Sequence, residues 1–416
     1  MNTVEPSLAT VPTLTFRGLE RRVLVLVGAC SLPFFLDSLI PVLIGPLAGP
    51  IARSLSLSRP ELGAVFSATL VGQCVGLLTI PLVARRWGHR NVILWTTLGF
   101  GLSQTLTALV SDRDMLVAAL FITGIFLGGA LPSCLAAVTQ GTPPARRGLA
   151  TMLLFTAYGL GGAVAGFLAS LFVDGNDWRK AFGVTGVACL VAVLVCWRWL
   201  EEPAPEMDGP GDTSSRGAGR RLIEIVSPPL LSGTLLLWLI FICALTIYYC
   251  LSSWLPTLLV DIGRSPRLAA YAIGTYTGGG VVSGLLIGPL IDRYGAYRIL
   301  SVFFGLAAFL LFTIGQSMNA LTDAPLLALL AACGFFMLGG YGGLNVVLAG
   351  YYPAELRGVG VGWTKSVSRL GTVIPPIAIG YGMVHGMQAK MIVSLFTVPA
   401  LLVLTALQLI RRRTSH

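Results

Sequence analysis

Charged residues are scarce in this chain of 416 residues: Asp, Glu, Lys and Arg make up 11% of it, whereas a typical soluble domain has about 25%. Only three histidines are present, all at or near the ends of predicted helices. The eight cysteines lie in apolar segments and have neither disulfide nor zinc-site spacing. These shortages argue against a soluble protein. They also argue against a membrane-embedded enzyme, which would need clustered His, Asp, Glu or Cys inside the bilayer.

Apolar residues dominate instead: 55% of the chain is hydrophobic, and the mean hydropathy is +0.81. A membrane-spanning helix needs about 20 apolar residues, and about twelve such segments are present, joined by short charged turns. We therefore predict an all-α membrane protein with twelve transmembrane helices in two six-helix bundles. The predicted divisions are a cytoplasmic tail (1–20), a first bundle (21–200), a cytoplasmic linker rich in Pro, Gly and charge (201–225), a second bundle (226–410) and a cytoplasmic tail (411–416). No remaining stretch is long enough for the signalling domain of a membrane sensor.

The net charge of +10 is explained by topology. With both termini in the cytoplasm, the predicted inner turns and tails hold about twice as many Lys and Arg residues as the outer turns. The positive-inside rule therefore predicts cytoplasmic termini. The excess of Lys and Arg over Asp and Glu therefore gives no reason to expect nucleic acid as a partner.

Two pairs of turns repeat along the chain with an offset of roughly 200 residues. RRWGHR after the second predicted helix parallels DRYGAYR after the eighth, and PPARRG before the fifth parallels PAELRG before the eleventh. Parallel six-helix halves around a midplane site are typical of transporters that work by alternating access.

Two cations lie inside the apolar, glycine-rich stretch YYPAELRGVGVGWTKSVSRLG, Tyr351 to Gly371. Lys365 and Arg369 are four residues apart and so share one helical face. Each costs roughly 2.5–3.5 kcal/mol at the bilayer centre, so such residues usually face a water-filled cavity. The pair predicts an anion-binding site. Two alternatives stay open: the long Lys365 stem reaches the membrane interface, or Arg369 forms a structural ion pair.

The first predicted helix, about 22–46, contains one acid, Asp37, between Pro33 and Pro41, which we expect to break the helix. An unpaired carboxylate inside the bilayer is costly while it is charged. We therefore predict that Asp37 takes up a coupling proton. The alternative is a structural pair with a cation across the bundle.

Five stretches carry a resemblance to a known family: LSRPELGAVFSATLVGQCVG (57–76), FLGGALPSCLAAVTQGTPPARRG (126–148), YYCLSSWLPTLL (248–259), GPLIDRYG (288–295) and LGGYGGLNVVLAGYYPAELRGVGVGW (338–363). They resemble the major facilitator superfamily and, within it, the aromatic acid:proton symporters, which are bacterial inner-membrane importers. The resemblance covers about residues 24–410 and implies the major facilitator fold.

The resemblance also implies roles for particular residues. Asp37 matches the second acid of the family's first-helix motif, Arg369 an arginine of its eleventh helix, and Asn345 an asparagine of its tenth. The loop motif that latches the cytoplasmic gate is matched by Gly288, Asp292, Arg293 and Gly295. From the repeated turns we assign to the same gate Arg86, Gly88, Glu355 and Arg357.

Four positions depart from the family pattern. Phe34 and Gln140 stand where acids are usual, and Arg85 replaces the aspartate of the first-half gate motif. Lys365 occupies a position that is usually apolar. The pathway therefore becomes more positive, which would suit a different or more highly charged organic anion than benzoate.

We expect proton-coupled uptake of a small organic anion, which the resemblance implies is an aromatic carboxylate. Arg369, with Lys365, is expected to bind the carboxylate, because a guanidinium pairs with it bidentately. The ring pocket is expected to be lined by Asn345, Tyr276, Tyr341 and Trp254. The proton is the only coupling ion or cofactor expected, and the expected form is a monomer in the bacterial inner membrane. A proton-antiporting efflux transporter of the same fold is the alternative, although the glycine run from Tyr158 to Gly166 lacks the proline that antiporter relatives commonly carry.

Overall fold

Six helices form the first half of a computed structural model that describes residues 21–174, 177–201 and 223–414. The predicted tail 1–20, nearly all of the predicted linker and the last two residues lie outside the described residues. Polar residues mark where helices begin: Glu61 accepts a hydrogen bond from the Ser58 N–H (2.8 Å), and Asp112 from the Met115 N–H (2.9 Å). The helices are α1 (Arg21–Leu55), α2 (Arg59–Trp87), α3 (His89–Thr107), α4 (Arg113–Gln140), α5 (Arg147–Ser170) and α6 (Trp178–Trp199).

The described part of the second half contains eight helices of seven residues or more, because two predicted spans are each divided in two. Pro375 and Pro376 prevent regular helical hydrogen bonding after Gly371, and Pro399 does the same after Leu395. The helices are α7 (Leu231–Asp261), α8 (Pro266–Tyr294), α9 (Ala296–Ser317), α10 (Asp323–Tyr351), α11 (Ala354–Gly371), α12 (Ile374–Val384), α13 (Ala389–Leu395) and α14 (Thr397–Thr414).

Eleven segments of the described chain are long and apolar enough to cross a membrane, counting α11 with α12 and α13 with α14 as one segment each. The 19-residue α3 is not among these eleven, and adding it gives twelve candidate spans in the described chain. The predicted helical membrane fold is therefore confirmed. The predicted break of the first helix is wrong, because α1 runs continuously through Pro33 and Pro41. Contacts with neighbouring helices make proline tolerable inside a spanning helix.

The repeated turns share one backbone geometry. Gly88 joins α2 to α3 with φ of 77°, and Gly295 joins α8 to α9 with φ of 85°. The N–H of each glycine donates to the carbonyl four residues earlier, at 3.0 Å for Gly88 and 2.8 Å for Gly295. Positive φ suits glycine best, so the repeat in sequence is also a repeat in structure.

The two halves pack together at one end of the bundle, which we call the far end; it holds the α1–α2 and α7–α8 turns. The helix pairs that join the halves are α5 with α8, α2 with α11 and α12, and α1 with α7 and α8. At the far end, a Cβ on Gly63 would lie 2.7 Å from the Pro376 carbonyl oxygen, so only glycine allows this approach. An ion pair between Arg59 and Asp261 (2.6 Å) also joins the halves there.

At the opposite end, which we call the terminus end because α1 begins there, the halves separate. Along α5 and α8 the close approaches run from the far end to Gly159 beside Val281, and a Cβ on Gly284, about one turn further, would meet nothing within 4 Å. Along α2 and α11, contact between the halves extends from the far end as far as the hydrogen bond between Arg369 and Gln73. The described halves thus enclose a cleft that is closed at the far end and open at the terminus end.

Candidate functional site

Arg369 lies in the last turn of α11, half-buried where the cleft closes. Its guanidinium Nη1 donates a hydrogen bond to Oε1 of Gln73 on α2. The guanidinium also lies over the ring of Tyr249 on α7, 5.5 Å from the ring centroid. Among the described side chains, no carboxylate lies within 4.0 Å of it. The structural ion pair considered above is therefore not formed, and the Arg369 charge is not neutralised by direct contact.

Asp37 lies in the middle of α1 and is only 2% exposed. Its Oδ1 has no hydrogen-bond partner among the described residues, and no described cation lies within 4.0 Å of the carboxylate. Arg369 is nevertheless near enough for its charge to act on Asp37. The carboxylate and the guanidinium therefore form a separated pair of opposite charges, with one member on each half of the chain.

Lys365 lies one turn before Arg369 on α11, and its side chain extends toward α7 and α10. Its Nζ is 4.4 Å from the ring centroid of Phe241 and 5.0 Å from that of Tyr341. The same Nζ donates a long hydrogen bond to the Tyr341 hydroxyl (3.4 Å). The Lys365 ammonium is therefore held by aromatic rings in the cleft and does not extend to the interface. Cation–π contacts replace part of its hydration but leave its positive charge uncompensated.

Aromatic side chains surround the two cations. Tyr248 and Tyr249 of α7 lie 5.0 Å apart between ring centroids, and Phe241, about two turns earlier, lies 5.9 Å from Tyr341 of α10. From α5, Tyr158 packs against Phe34 of α1, with 5.7 Å between the ring centroids. A guanidinium and an ammonium beside aromatic walls can hold a flat apolar molecule that carries negative charge.

The remaining predicted binding residues lie in different surroundings. Asn345 is half-buried on α10, where its Nδ2 donates to the Gly342 carbonyl (2.9 Å), one turn from Tyr341. Trp254 is fully buried at the far end, where its Nε1–H donates to the Pro376 carbonyl (3.0 Å). Tyr276 is fully buried on α8, and its hydroxyl has no partner among the described residues. The structure thus brings Tyr341 to Lys365 and places Trp254 and Tyr276 in packed interior.

The predicted gate residues all lie at the terminus end, and all but the half-buried Gly88 are exposed there. Arg293 lies over the ring of its neighbour Tyr294, 5.2 Å from the centroid. In the described part of the chain, no ion pair within 4.0 Å joins any two of these residues. The predicted gate residues are Arg86, Gly88, Gly288, Asp292, Arg293, Gly295, Glu355 and Arg357. The predicted gate contacts are therefore not formed in this open conformation.

Sequence reasoning missed Gln73, Tyr249 and Phe241. Gln73 carried a usable signal, because it is a polar amide within the apolar α2, just as Asn345 is within α10. Tyr249 lies in the stretch Tyr248 to Trp254 of α7, whose aromatic residues a belt at the membrane interface explains equally well from sequence. Phe241 carries no signal of its own in a helix this apolar.

Comparisons with known proteins agree on one family. The model described as Major Facilitator Superfamily matches residues 30–376. The chain is similar to the 3-(3-hydroxy-phenyl)propionate transporter of Escherichia coli, with 32% identity over 91% of this chain and 93% of that one. It is also similar to the 4-hydroxybenzoate transporter PcaK of Acinetobacter baylyi, with 30% identity over 89% of this chain and 87% of that one. A crystal structure of a D-xylose-proton symporter shares the fold, with a TM-score of 0.76, 15% identity, and coverage of 92% of this chain and 97% of that one.

Proposed function

The chain belongs to the major facilitator superfamily, and on that premise we propose that it imports a small aromatic carboxylate together with protons. Its relatives are transporters, not enzymes. The two relatives named above are described as transporters of 4-hydroxybenzoate and 3-(3-hydroxy-phenyl)propionate. Both compounds are aromatic rings that carry one carboxylate, which is the substrate class proposed for this chain.

One observation carries the proposal: Arg369 keeps its charge at the closed end of an open cleft. Its partner there is the amide of Gln73, which orients the guanidinium without neutralising it. A guanidinium so held is suited to bind a carboxylate through two parallel hydrogen bonds. The rings of Tyr249 and Tyr341 provide apolar surface for the aromatic body of the substrate.

Asp37 is the proposed proton acceptor. Among the described residues it is the one acid near the cations, its Oδ1 has no hydrogen-bond partner, and no cation lies within 4.0 Å of it. We propose that protonation of Asp37 and binding of the carboxylate to Arg369 together weaken the attraction between these two residues. A weaker attraction between Asp37 and Arg369 would lower the free energy needed to move the two halves relative to each other.

The cycle proposed is alternating access. The cleft open at the terminus end corresponds to an inward-facing state if both termini are cytoplasmic, as the distribution of Lys and Arg predicts. The outward-facing state then requires the Arg59–Asp261 ion pair and the glycine contacts of the far end to open. We further propose that the protein acts as a monomer in a bacterial inner membrane and needs no cofactor besides the proton.

Uptake of labelled benzoate and 4-hydroxybenzoate into proteoliposomes tests the proposal, with an inward proton gradient imposed or collapsed. Accumulation should require the gradient and should be lost in Arg369→Ala. Arg298→Ala is the matched control, because Arg298 is exposed on α9 outside the cleft. Normal accumulation by Arg369→Ala would contradict the proposed role of Arg369. Proton-driven extrusion instead of uptake would identify the efflux alternative.

A further inference from the structure

The cleft contains more positive charge than a substrate with one carboxylate needs. Lys365 and Arg369 are the two cations at this depth, and Asp37 is the one acid among the described residues near them. Protonation of Asp37 therefore leaves two positive charges facing the cleft. A monocarboxylate would compensate only one of them, and an uncompensated charge that is partly removed from water is costly.

Lys365 has the features of a second anion subsite. One of its three N–H groups donates to the Tyr341 hydroxyl (3.4 Å), while its Nζ lies over the ring of Phe241 (4.4 Å). No carboxylate in the described part of the chain lies within 4.0 Å of the ammonium. Because the Tyr341 oxygen accepts this bond, its own O–H is available to donate to a ligand. An ammonium and a phenol therefore offer hydrogen-bond donors at the same place.

The spacing of the two cations sets the size of the ligand. Their charged groups contact rings that lie eight residues apart on α7, Phe241 for Lys365 and Tyr249 for Arg369, which is roughly 12 Å along that helix. Two carboxylates on opposite positions of one benzene ring, each with a hydrogen bond of about 2.8 Å to its cation, span a comparable distance. The ring itself would then lie beside the aromatic residues that line the cleft, Phe241 and Tyr341 near Lys365 and Tyr249 near Arg369.

We propose that this transporter takes aromatic acids with a second anionic group, of which a benzene dicarboxylate is the simplest. One carboxylate binds Arg369, and the other binds Lys365 and the Tyr341 hydroxyl. This inference rests on the proposed function, because it extends the same cleft. It differs in assigning selectivity for a dianion over a monoanion to Lys365.

The test compares benzene-1,4-dicarboxylate with benzoate in proteoliposomes under an inward proton gradient. Wild-type protein should transport the dicarboxylate with a KM about tenfold or more below that of benzoate, because a charge-assisted contact is added. Lys365→Leu should raise the KM for the dicarboxylate about tenfold or more beyond any rise in the KM for benzoate, because only the dicarboxylate loses its contact at the second subsite. Lys365→Arg should restore most of the preference because it keeps the charge. Lys390→Leu is the matched control, because Lys390 is exposed on α13 outside the cleft.

The outcomes separate this inference from the proposed function. If benzoate is accumulated but the dicarboxylate is neither transported nor competitive, the inference is wrong and the proposed function stands. An unchanged ratio of the two KM values in Lys365→Leu would also overturn the inference. If Lys365→Leu does not fold, competition of the dicarboxylate against benzoate uptake by wild-type protein, together with Lys365→Gln, decides the question. If wild-type protein moves neither acid, the proposed function fails and the inference fails with it.

Discussion

Changing Gln73 to glutamate should disable the carboxylate site while barely altering its shape. Gln73 is 2% exposed, and its Oε1 accepts a hydrogen bond from the Arg369 guanidinium. Glutamate is nearly isosteric with glutamine, so Gln73→Glu places a negative charge on the same oxygen. The substrate carboxylate must then compete with a permanent internal partner of Arg369.

The expected magnitude follows from the contact distance. Two unit charges about 4 Å apart attract by about 4 kcal/mol at an effective dielectric constant of about 20. That energy corresponds to about a thousandfold in a binding constant. Water in the open cleft weakens the attraction, so the KM for the substrate should rise by roughly 30- to 1,000-fold. Gln73→Leu removes one hydrogen bond but leaves the Arg369 charge available, so its KM should change by less than about tenfold.

The assay is the initial rate of benzoate uptake into proteoliposomes under an inward proton gradient, as a function of benzoate concentration. Gln316→Glu is the matched control: Gln316 is exposed on α9, where its amide donates to the Ser394 hydroxyl (3.1 Å). The unfolding temperature of each variant shows whether the protein is folded. A KM for Gln73→Glu within about threefold of the wild-type value would refute the placement of the carboxylate on Arg369.

Three further predictions address the proton site, the far end and the packed interior. Asp37→Asn removes the titratable group, so proton-driven accumulation should be lost while exchange of labelled for unlabelled benzoate continues; loss of both activities would contradict a role in coupling alone. Arg59→Ala breaks the ion pair with Asp261, and a partly exposed pair of this kind contributes about 0.2–1 kcal/mol. The population of molecules open at the far end should therefore rise by roughly 1.4- to 5-fold. The measurement is the rate at which a thiol reagent added on the far-end side labels the cysteine of Ser253→Cys, which should increase. Tyr276→Phe removes a buried hydroxyl with no partner among the described residues, so transport should stay within about twofold of wild type and the unfolding temperature should stay equal or rise; a large rise in KM would instead place Tyr276 in the ring pocket.

Most of the fold could be predicted because length and apolarity almost fix it. A chain this poor in charge must cross a membrane, and each crossing needs a length of helix that can be counted in sequence. What could not be predicted was how proline acts in each helix. Pro33 and Pro41 leave α1 continuous, whereas Pro375 and Pro376 divide the eleventh span. The difference depends on which neighbouring groups pack against the irregular backbone, and those come from distant parts of the chain.

The charged residues of the candidate site could be predicted from the sequence, whereas its neutral residues could not. Asp37, Lys365 and Arg369 stand out because a charge inside an apolar helix is costly and rare. Gln73 lies 296 positions from Arg369 in the chain, and only the packing of α2 beside α11 makes it a partner.

That partner is an amide, and its neutrality matters for binding. A carboxylate at the position of Gln73 would satisfy Arg369 and compete with any anionic substrate, whereas a hydrophobic residue would leave the guanidinium without an orienting contact. Glutamine fixes the direction of the guanidinium and preserves its charge. The same reasoning applies to Lys365, because the Tyr341 hydroxyl and the Phe241 ring hold the ammonium without cancelling its charge. In both places neutral groups position a cation, so once Asp37 is protonated the negative charge that completes the site comes from the substrate.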